Sequence, residues 1–417
     1  MKEEISTAKN KLQYKFLLLL STAYLASGVN TQGFLALMPF VRNEFEISRA
    51  QAGLYSTCFF LTATIIAIFA GRIVDKIGSK KGMIFGTASV GIMIFFHAIA
   101  PYFYVILIFS FLTGIVFSII TPSLNKAVMK KVKPENRATS MGIMQSGGGI
   151  GGVLGASLLP LLGGIFGWRR ALLFSGVFAI CLSLFIYRFY VEEDDSDVDS
   201  DNDISFKESI SILLKNKYLL VVCGLGLGLG TSIGAVPAHY TLYLTQDLEV
   251  STSIAGFCLG ILHIGGIIGR PGWGWINDKF LNGNRRLGLI LAGLTFTIIA
   301  LFYSIYITNY NPSLMLIYIS SFILGIISMG WMGIFFTTIA ELVSEELTGI
   351  GTGFALIFTR TGVVLSPPIF GYIADVTGSY SSSWLAVGLV IFVFTLAFII
   401  LSRKFKKVDI NKKSVEF

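Results

Sequence analysis

Apolar positions in this chain neither alternate nor recur as a narrow helical stripe; they run in long blocks. Crossing about 30 Å of hydrocarbon takes around 20 consecutive apolar residues of helix. Blocks of that length fall at 14–40, 51–70, 83–100, 102–124, 139–163 and 171–190, then at 217–244, 253–276, 287–308, 313–339, 350–374 and 383–402. The pattern predicts an all-α membrane protein with twelve transmembrane helices in two sets of six. The first bundle is expected over residues 1–190 and the second, with a tail, over 216–417. Between them, residues 191–215 hold the run Glu192, Glu193, Asp194, Asp195, Ser196, Asp197, Val198, Asp199, Ser200, Asp201, Asn202, Asp203. That run is too charged to bury anything and reads as a solvated linker. It lacks the Gly turn and closing Glu of a calcium loop.

Composition agrees with the blocks: 54% of residues are hydrophobic and only 13% charged over 417 residues. Of the 32 Lys and Arg, 26 fall on the side that holds both termini, four on the other side, and Arg270 and Arg360 within the apolar blocks. Positive loops stay inside, so both termini are expected in the cytoplasm of a cell-membrane protein. The net charge of +8 is this asymmetry. No basic cluster interleaved with aromatics suggests nucleic acid. The start of the chain, Met1 to Gln13, is charged and no cleavable signal precedes the first block. Cys58, Cys181, Cys223 and Cys258 all lie in predicted helices, so neither disulfides nor a metal site is expected.

The two halves carry an internal echo. Gly71-Arg72-Ile73-Val74-Asp75-Lys76 follows the second block, with Lys80 and Lys81 beyond; Gly274-Trp275-Ile276-Asn277-Asp278-Lys279 follows the eighth, with Arg285 and Arg286 beyond, 203 residues later. Both read Gly-x-x-x-Asp-Lys and then basic residues. Gly71 and Gly274 are expected to let helices approach closely, Asp75 and Asp278 to cap or pair across the turn, and Lys80 and Arg285 to anchor it to the inner membrane surface. This is a gating and scaffold element rather than a substrate site. The pattern closely resembles the loop 2–3 signature of the major facilitator superfamily. That resemblance implies two pseudo-symmetric six-helix bundles, alternately open to each side, with substrate bound near the midplane.

Arg270 and Arg360 are the residues that most need a reason. An arginine at a bilayer centre costs roughly 2.5 to 3.5 kcal/mol on insertion scales. Arg270 lies eight residues before Asp278, and Arg360 lies fourteen after Glu346 and fifteen before Asp375, so both sit near mid-depth, too far from the ends to snorkel easily. Neither has a basic twin in the first half, where the corresponding positions are Ala67 and Gly149. A scaffold residue is expected in both copies, so these two point to transport. A carboxylate about 4 Å from a guanidinium gains on the order of 4 kcal/mol at an effective dielectric of 20, and the planar fork can hold it bidentately. Gly269-Arg270-Pro271-Gly272-Trp273-Gly274 with Asp278-Lys279 also resembles helix 8 of the oxalate:formate antiporter and monocarboxylate porter branch. There the matching arginine contacts a substrate carboxylate; the cation on helix 11, usually lysine, is Arg360 here.

No Asp or Glu lies deep in a predicted helix, Glu341 already being at an inner end. His263 shares a helix face with Arg270, seven residues away, and is the candidate proton carrier. His97 and His239 read as packed core histidines. A monocarboxylate can also bring its own proton, or exchange for a counter-anion. Further cavity candidates are Tyr24 and Gln32 on one face of the first helix with Gly28, Gln145 in the fifth, and Tyr240, Tyr243 and Trp331 in the second half, each with a plain packing alternative. Aromatics there are expected to exclude water and strengthen the arginine contacts.

The expectation is a secondary active transporter of small organic anions, mono- or dicarboxylates, working by symport or antiport in the lipid bilayer as a monomer, with no cofactor. The alternative is efflux of drugs or other amphipathic compounds. Against it, the glycine ladder Gly142, Gly151 and Gly155 continues as Ala156 and Ser157 rather than the Gly-Pro of drug antiporters, and Ser110 stands where those exporters commonly have arginine. No appended soluble domain suggests a sensor. No nucleophile, metal cluster or phosphate loop suggests an enzyme.

Overall fold

The computed structural model describes residues 2–133, 137–191, 206–310, 312–344 and 347–413. The acidic run, residues 192–203, and Glu346 lie outside the described residues. The described chain is helical throughout, without strands. The first half gives α1 (Lys2–Phe45), α2 (Arg49–Ile77), α3 (Ser79–Ile99), α4 (Phe103–Lys131), α5 (Arg137–Phe166) and α6 (Trp168–Phe189). A short helix α7 (Phe206–Lys215) occupies the end of the expected linker. The second half gives α8 (Lys217–Gln246), α9 (Thr252–Phe280), α10 (Arg285–Phe302), α11 (Leu314–Gly330), α12 (Met332–Glu341), α13 (Thr348–Thr377) and α14 (Tyr380–Lys413). A five-residue π turn, Tyr303–Ile307, closes α10. α11 and α12 form one apolar stretch, Leu314–Glu341, broken at Trp331.

Eleven segments are long and apolar enough to cross a membrane, among the described residues. The twelfth expected helix, α1, is 44 residues long, and Ser27, Asn30, Thr31 and Gln32 interrupt its apolar run. Polar side chains at that depth belong inside a bundle. Large apolar residues such as Phe174, Leu184, Tyr187, Ile298, Tyr372 and Val393 are exposed, as expected of helices whose outer faces meet lipid.

The chain divides into two compact units. One comprises residues 1–47, 54–195 and 240–264, the other 48–53, 196–239 and 265–417. In the first, α1 crosses α5 at backbone contact. A Cβ added to Gly147, Gly151 or Gly155 would overlap the carbonyl oxygens of Ser21, Leu25 and Val29, respectively. Four-residue steps on both helices are the ridge spacing that lets them interdigitate. A core of Leu17, Leu20, Ala23, Met83, Val90, Ile120, Leu124 and Met144 then fills in beside this crossing.

The second unit repeats the device with the glycines on the other partner. Gly230 and Gly234 of α8 meet the carbonyls of Thr359 and Val363 on α13, and Gly362 answers against Leu227. Short turns close the hairpins: Gly78 (φ +84°) joins α2 to α3 and Gly378 (φ +80°) joins α13 to α14, backbone states that a side chain would strain.

The echoed motif folds as a pair of ion-paired turns. Asp75 accepts from Lys126 at 3.4 Å. Arg285 pairs with Asp278, donates from Nε to Glu341 Oε1 at 3.1 Å and reaches Asn277 Oδ1 at 2.7 Å. The expected close approach at Gly71 and Gly274 is not found. A Cβ at either would meet nothing within 4 Å; the tight positions are Gly82, against Ser123, and Gly288, against Asn277. The helices meet one turn beyond the corner, where the hairpin's second helix packs back.

Candidate functional site

α9 presents three faces. Ile264, Ile268 and Trp275 are exposed and mark the lipid side. Gly265, Gly266 and Gly269 face α11, where added Cβ atoms would crowd Phe322, Met329 and Ile326. The third face holds His263, Ile267, Arg270 and Gly274. At 3.6 residues per turn, Arg270 lies roughly 130° around the helix from the lipid stripe. Yet Arg270 is exposed, and a Cβ on Gly274, one turn on, would meet nothing within 4 Å. This face of α9 is therefore turned away from the lipid stripe and uncovered beyond residue 265. Pro271 follows directly, and a proline there removes the amide that would satisfy the carbonyl of Ile267.

α13 is built the same way. Leu365, Ile369 and Tyr372 face lipid, Thr359, Gly362 and Val363 face α8, and half-buried Arg360 lies about 140° from the lipid stripe. Arg360 is twelve residues into α13 and Arg270 ten residues before the end of α9. Measured from the same end of the antiparallel stack, the two depths are about 18 and 15 Å. The glycine crossing with α8 decides this orientation, since it pins the Thr359 backbone and turns the next residue away from both lipid and partner.

Neither helix supplies a neutralising carboxylate. The one acidic residue of α9, Asp278, is committed to Arg285, and that of α13, Asp375, accepts from the backbone nitrogens of Arg49 and Ala50. Arg270 makes no hydrogen bond or ion pair to any described residue.

The first unit gathers a second set. Tyr24 donates to Thr121 Oγ1 at 3.0 Å and its ring lies 3.7 Å from where a Cβ on Gly148 would sit. Gln32 of α1 and His263 of α9, 231 residues apart, hydrogen bond at 3.1 Å. Both lie over Gly152 of α5, whose missing Cβ would stand 3.3 Å from Gln32 and 3.5 Å from the His263 ring. Gln145 is exposed one turn before Gly148. Sequence reasoning named Gln32 and His263 separately; it missed Gly152, because a glycine that makes room for two other side chains looks like any packing glycine.

The remaining candidates sit elsewhere. Tyr240 and Tyr243 are fully buried, with ring centroids 6.3 Å apart. Trp331 is 1% exposed, donates to Ser328 O at 2.9 Å and sets its edge on Phe335. All three are enclosed by protein in this structure. His97 and His239 are buried as expected. His97 donates to Met93 O at 2.7 Å and packs edge-on to Phe34. His239 donates from Nε2 to Pro367 O at 2.7 Å and accepts from Tyr380 at 3.2 Å. All four cysteines are free thiols, and no cluster of three or more potential metal ligands occurs among the described residues.

The described chain is an all-helical scaffold with membrane-length apolar helices, and its second unit carries two arginines at matching depth. The family model described as Major Facilitator Superfamily matches residues 20–362, and the chain belongs to that family of transporters. It is 24% identical over 378 residues to the gentisate transporter of Corynebacterium glutamicum, covering 89% of this chain and 83% of that protein. It is 21% identical over 366 residues to the hexuronate transporter of Bacillus subtilis, covering 84% and 85%. Among solved structures, a bacterial homolog of the human lysosomal transporter Spinster superposes with a TM-score of 0.78 at 16% identity, covering 94% of this chain and 97% of that one. The major facilitator fold expected from the repeat is therefore present.

Proposed function

We propose that the protein is a secondary active transporter of small organic anions, mono- or dicarboxylates, in the cell membrane, with both termini cytoplasmic. Arg270 and Arg360 form the carboxylate clamp, and transport proceeds by alternating access as proton symport or anion exchange. The observation that carries this reading is Arg270: an exposed guanidinium on an interior helix face, with no carboxylate of the described chain to neutralise it. Arg360 at matching depth supports it, as do the relatives, since gentisate and hexuronate both carry a carboxylate. Tyr24, Gln32 and Gln145 are the polar groups proposed to contact the rest of the solute, and Tyr240 and Trp331 to stiffen the surrounding wall. The Asp75–Lys126 and Asp278–Arg285–Glu341 turns are the gating elements. No cofactor is needed, and the transporter works as a monomer.

The test is thermal stability of the detergent-purified protein against gentisate, glucuronate, lactate, pyruvate, oxalate, formate and a set of neutral and cationic drugs. A ligand at 100 times its dissociation constant adds about 2.7 kcal/mol to the folded state. Carboxylates should stabilise the parent and neither Arg270→Gln nor Arg360→Gln. Stabilisation by neutral or cationic compounds alone, undiminished in the variants, would replace the anion reading with drug efflux.

A further inference from the structure

The short helix α7 lies outside the membrane-length segments, yet it is docked. Leu213 is its anchor, 1% exposed, with a methyl carbon 3.8 Å from where a Cβ on Gly351 of α13 would sit. Ser209, one turn earlier, is buried on the same side. Asn216 closes the helix. Its Nδ2 donates to Leu342 O, just past α12, at 3.2 Å, and its Oδ1 accepts the Leu219 amide at 2.9 Å, capping the start of α8. α7 is thus pinned to the end of the second unit where α8 and α13 begin and α12 finishes.

Its place on α13 determines what surrounds it. Gly351 precedes Arg360 by nine residues, half a turn out of phase, so α7 sits on the side of α13 opposite that arginine. Gly351 precedes Ile369 by eighteen residues, five whole turns, and so is in line with the exposed stripe of Leu365, Ile369 and Tyr372 that faces lipid. α7 therefore lies on the lipid-facing side of α13, near the end of its apolar span. The uncovered surface of α7 is apolar at both edges and polar between them. Ile212 and Leu214 are 44% and 53% exposed and flank the docked side. Ser211 and Lys215, also exposed, form the opposite pole. Lys215 makes no hydrogen bond or ion pair to any described residue, and Lys217, exposed just past Asn216, adds a second positive charge. Exposed aliphatic side chains beside a lipid-facing stripe suit a bilayer better than water, and the lysines set the sign of its headgroups.

We propose that α7 is an interfacial helix that seats this end of the protein on an anionic phospholipid surface. Ile212 and Leu214 enter the boundary between headgroups and acyl chains, and Lys215 pairs with the headgroup phosphates. A basic residue at such a surface strengthens attachment roughly fivefold, and salt weakens it. Because Leu213 and Asn216 join α7 to α13 and α12, lipid that holds α7 also steadies the end of the second unit. Neither the anion reading nor the orientation of the chain enters this argument.

Hydrogen–deuterium exchange of the full-length protein tests it, in nanodiscs of phosphatidylcholine alone and of phosphatidylcholine mixed with phosphatidylglycerol. Amides of residues 209–215 should exchange roughly fivefold or more slowly in the mixed bilayer, and high salt should shrink the difference. Lys215→Glu should abolish the difference. Ile212→Ser and Leu214→Ser should speed exchange of α7 in both bilayers. Unchanged exchange across α9 and α10, with an unchanged melting temperature, shows that each variant is folded. Equal exchange of α7 in the two bilayers overturns the proposal, as does a phosphatidylglycerol effect that survives Lys215→Glu. Protection that is the same in both bilayers and vanishes when residues 192–203 are replaced by a Gly-Ser linker assigns the face to the chain's own acidic run, and overturns it too.

Discussion

Asp375, in the last turn of α13, caps the first turn of α2 through Arg49. Its Oδ1 accepts the Arg49 amide and its Oδ2 the Ala50 amide, both at 2.9 Å. The Arg49 guanidinium returns the contact by donating to Ala374 O at 2.7 Å and lies 4.8 Å over the Tyr380 ring. Beneath, the two backbones touch: a Cβ on Gly53 would sit 2.5 Å from the Pro367 carbonyl, and one on Gly371 would overlap the carbonyl of Arg49. The opening amides of a helix lack partners of their own and carry partial positive charge, so a carboxylate there is stabilising twice over.

Asp375→Ala should therefore lower unfolding stability by about 1 to 2 kcal/mol, the range for removing an N-cap. Asp375→Asn should recover part of that, since its amide oxygen still accepts one amide hydrogen while the charge is lost. Gly371→Leu should cost more than either, because backbone atoms rather than a flexible side chain stand in the way. Chemical or thermal unfolding of the purified protein in one detergent ranks the three.

The α1–α5 crossing makes a sharper contrast between two glycines of the same helix. Gly151→Val places branched carbons against the Leu25 carbonyl and should abolish accumulation of folded protein. Gly142→Ala, where nothing lies within 4 Å, should be neutral or stabilise by up to about 1 kcal/mol through helix propensity. Fluorescence-detected size exclusion of tagged variants reads both; equal profiles would mean that the helices do not cross at Gly151.

Much of this was legible along the chain because membrane helices announce themselves by block length, and depth along a helix is simple arithmetic. Arg270, Arg360 and the ion-paired turn after α9 follow from such local counting. What escaped depends on which faces meet. Gly71 and Gly274 look like contact glycines by motif, yet the contacts fall at Gly82 and Gly288, because the hairpin's return helix sets the crossing point. The Asp375 cap spans 326 residues and the Gln32–His263 bond 231, separations at which no periodicity carries information. Trp331 and Tyr240 looked like wall residues, but whether an aromatic at a given depth is turned in or out depends on its neighbours' packing. The helix at 206–215 was hidden by an acidic run just before it.

Arg169 ties three elements together at the start of α6. Its Nε and Nη2 donate to Glu44 Oε1 at 3.1 and 2.7 Å, and its Nη1 donates to Ala98 O and Ala100 O at 2.7 and 3.0 Å. Trp168 Nε1 takes the other Glu44 oxygen at 2.5 Å. Arg169→Lys keeps the charge but cannot make four hydrogen bonds to these three acceptors, and it leaves carbonyls at the end of α3 without donors. The site is one-third exposed, so water softens the loss: Arg169→Lys should cost about 1 kcal/mol. Glu44→Gln should cost as much or more, because its one amide oxygen can accept from Arg169 or from Trp168 but its NH2 then faces the other donor. A double-mutant cycle on unfolding stability checks the order and gives the pair its coupling energy.

The same difference between a fork and a point charge decides the clamp. Arg270→Lys preserves a cation on the interior face of α9, so a purely electrostatic role predicts nearly unchanged anion binding. A bidentate role predicts otherwise, because an ammonium makes one directed contact with a carboxylate where the guanidinium makes two parallel ones. Losing one charge-assisted hydrogen bond of about 1.5 to 3 kcal/mol weakens binding by roughly ten- to a hundred-fold. Arg270→Lys should therefore fall between the parent and Arg270→Gln in gentisate or glucuronate affinity, measured by calorimetry on the purified transporter. Parent-like affinity in the lysine variant would show that the site reads charge alone, and would extend its substrates to anions without a planar pair of oxygens.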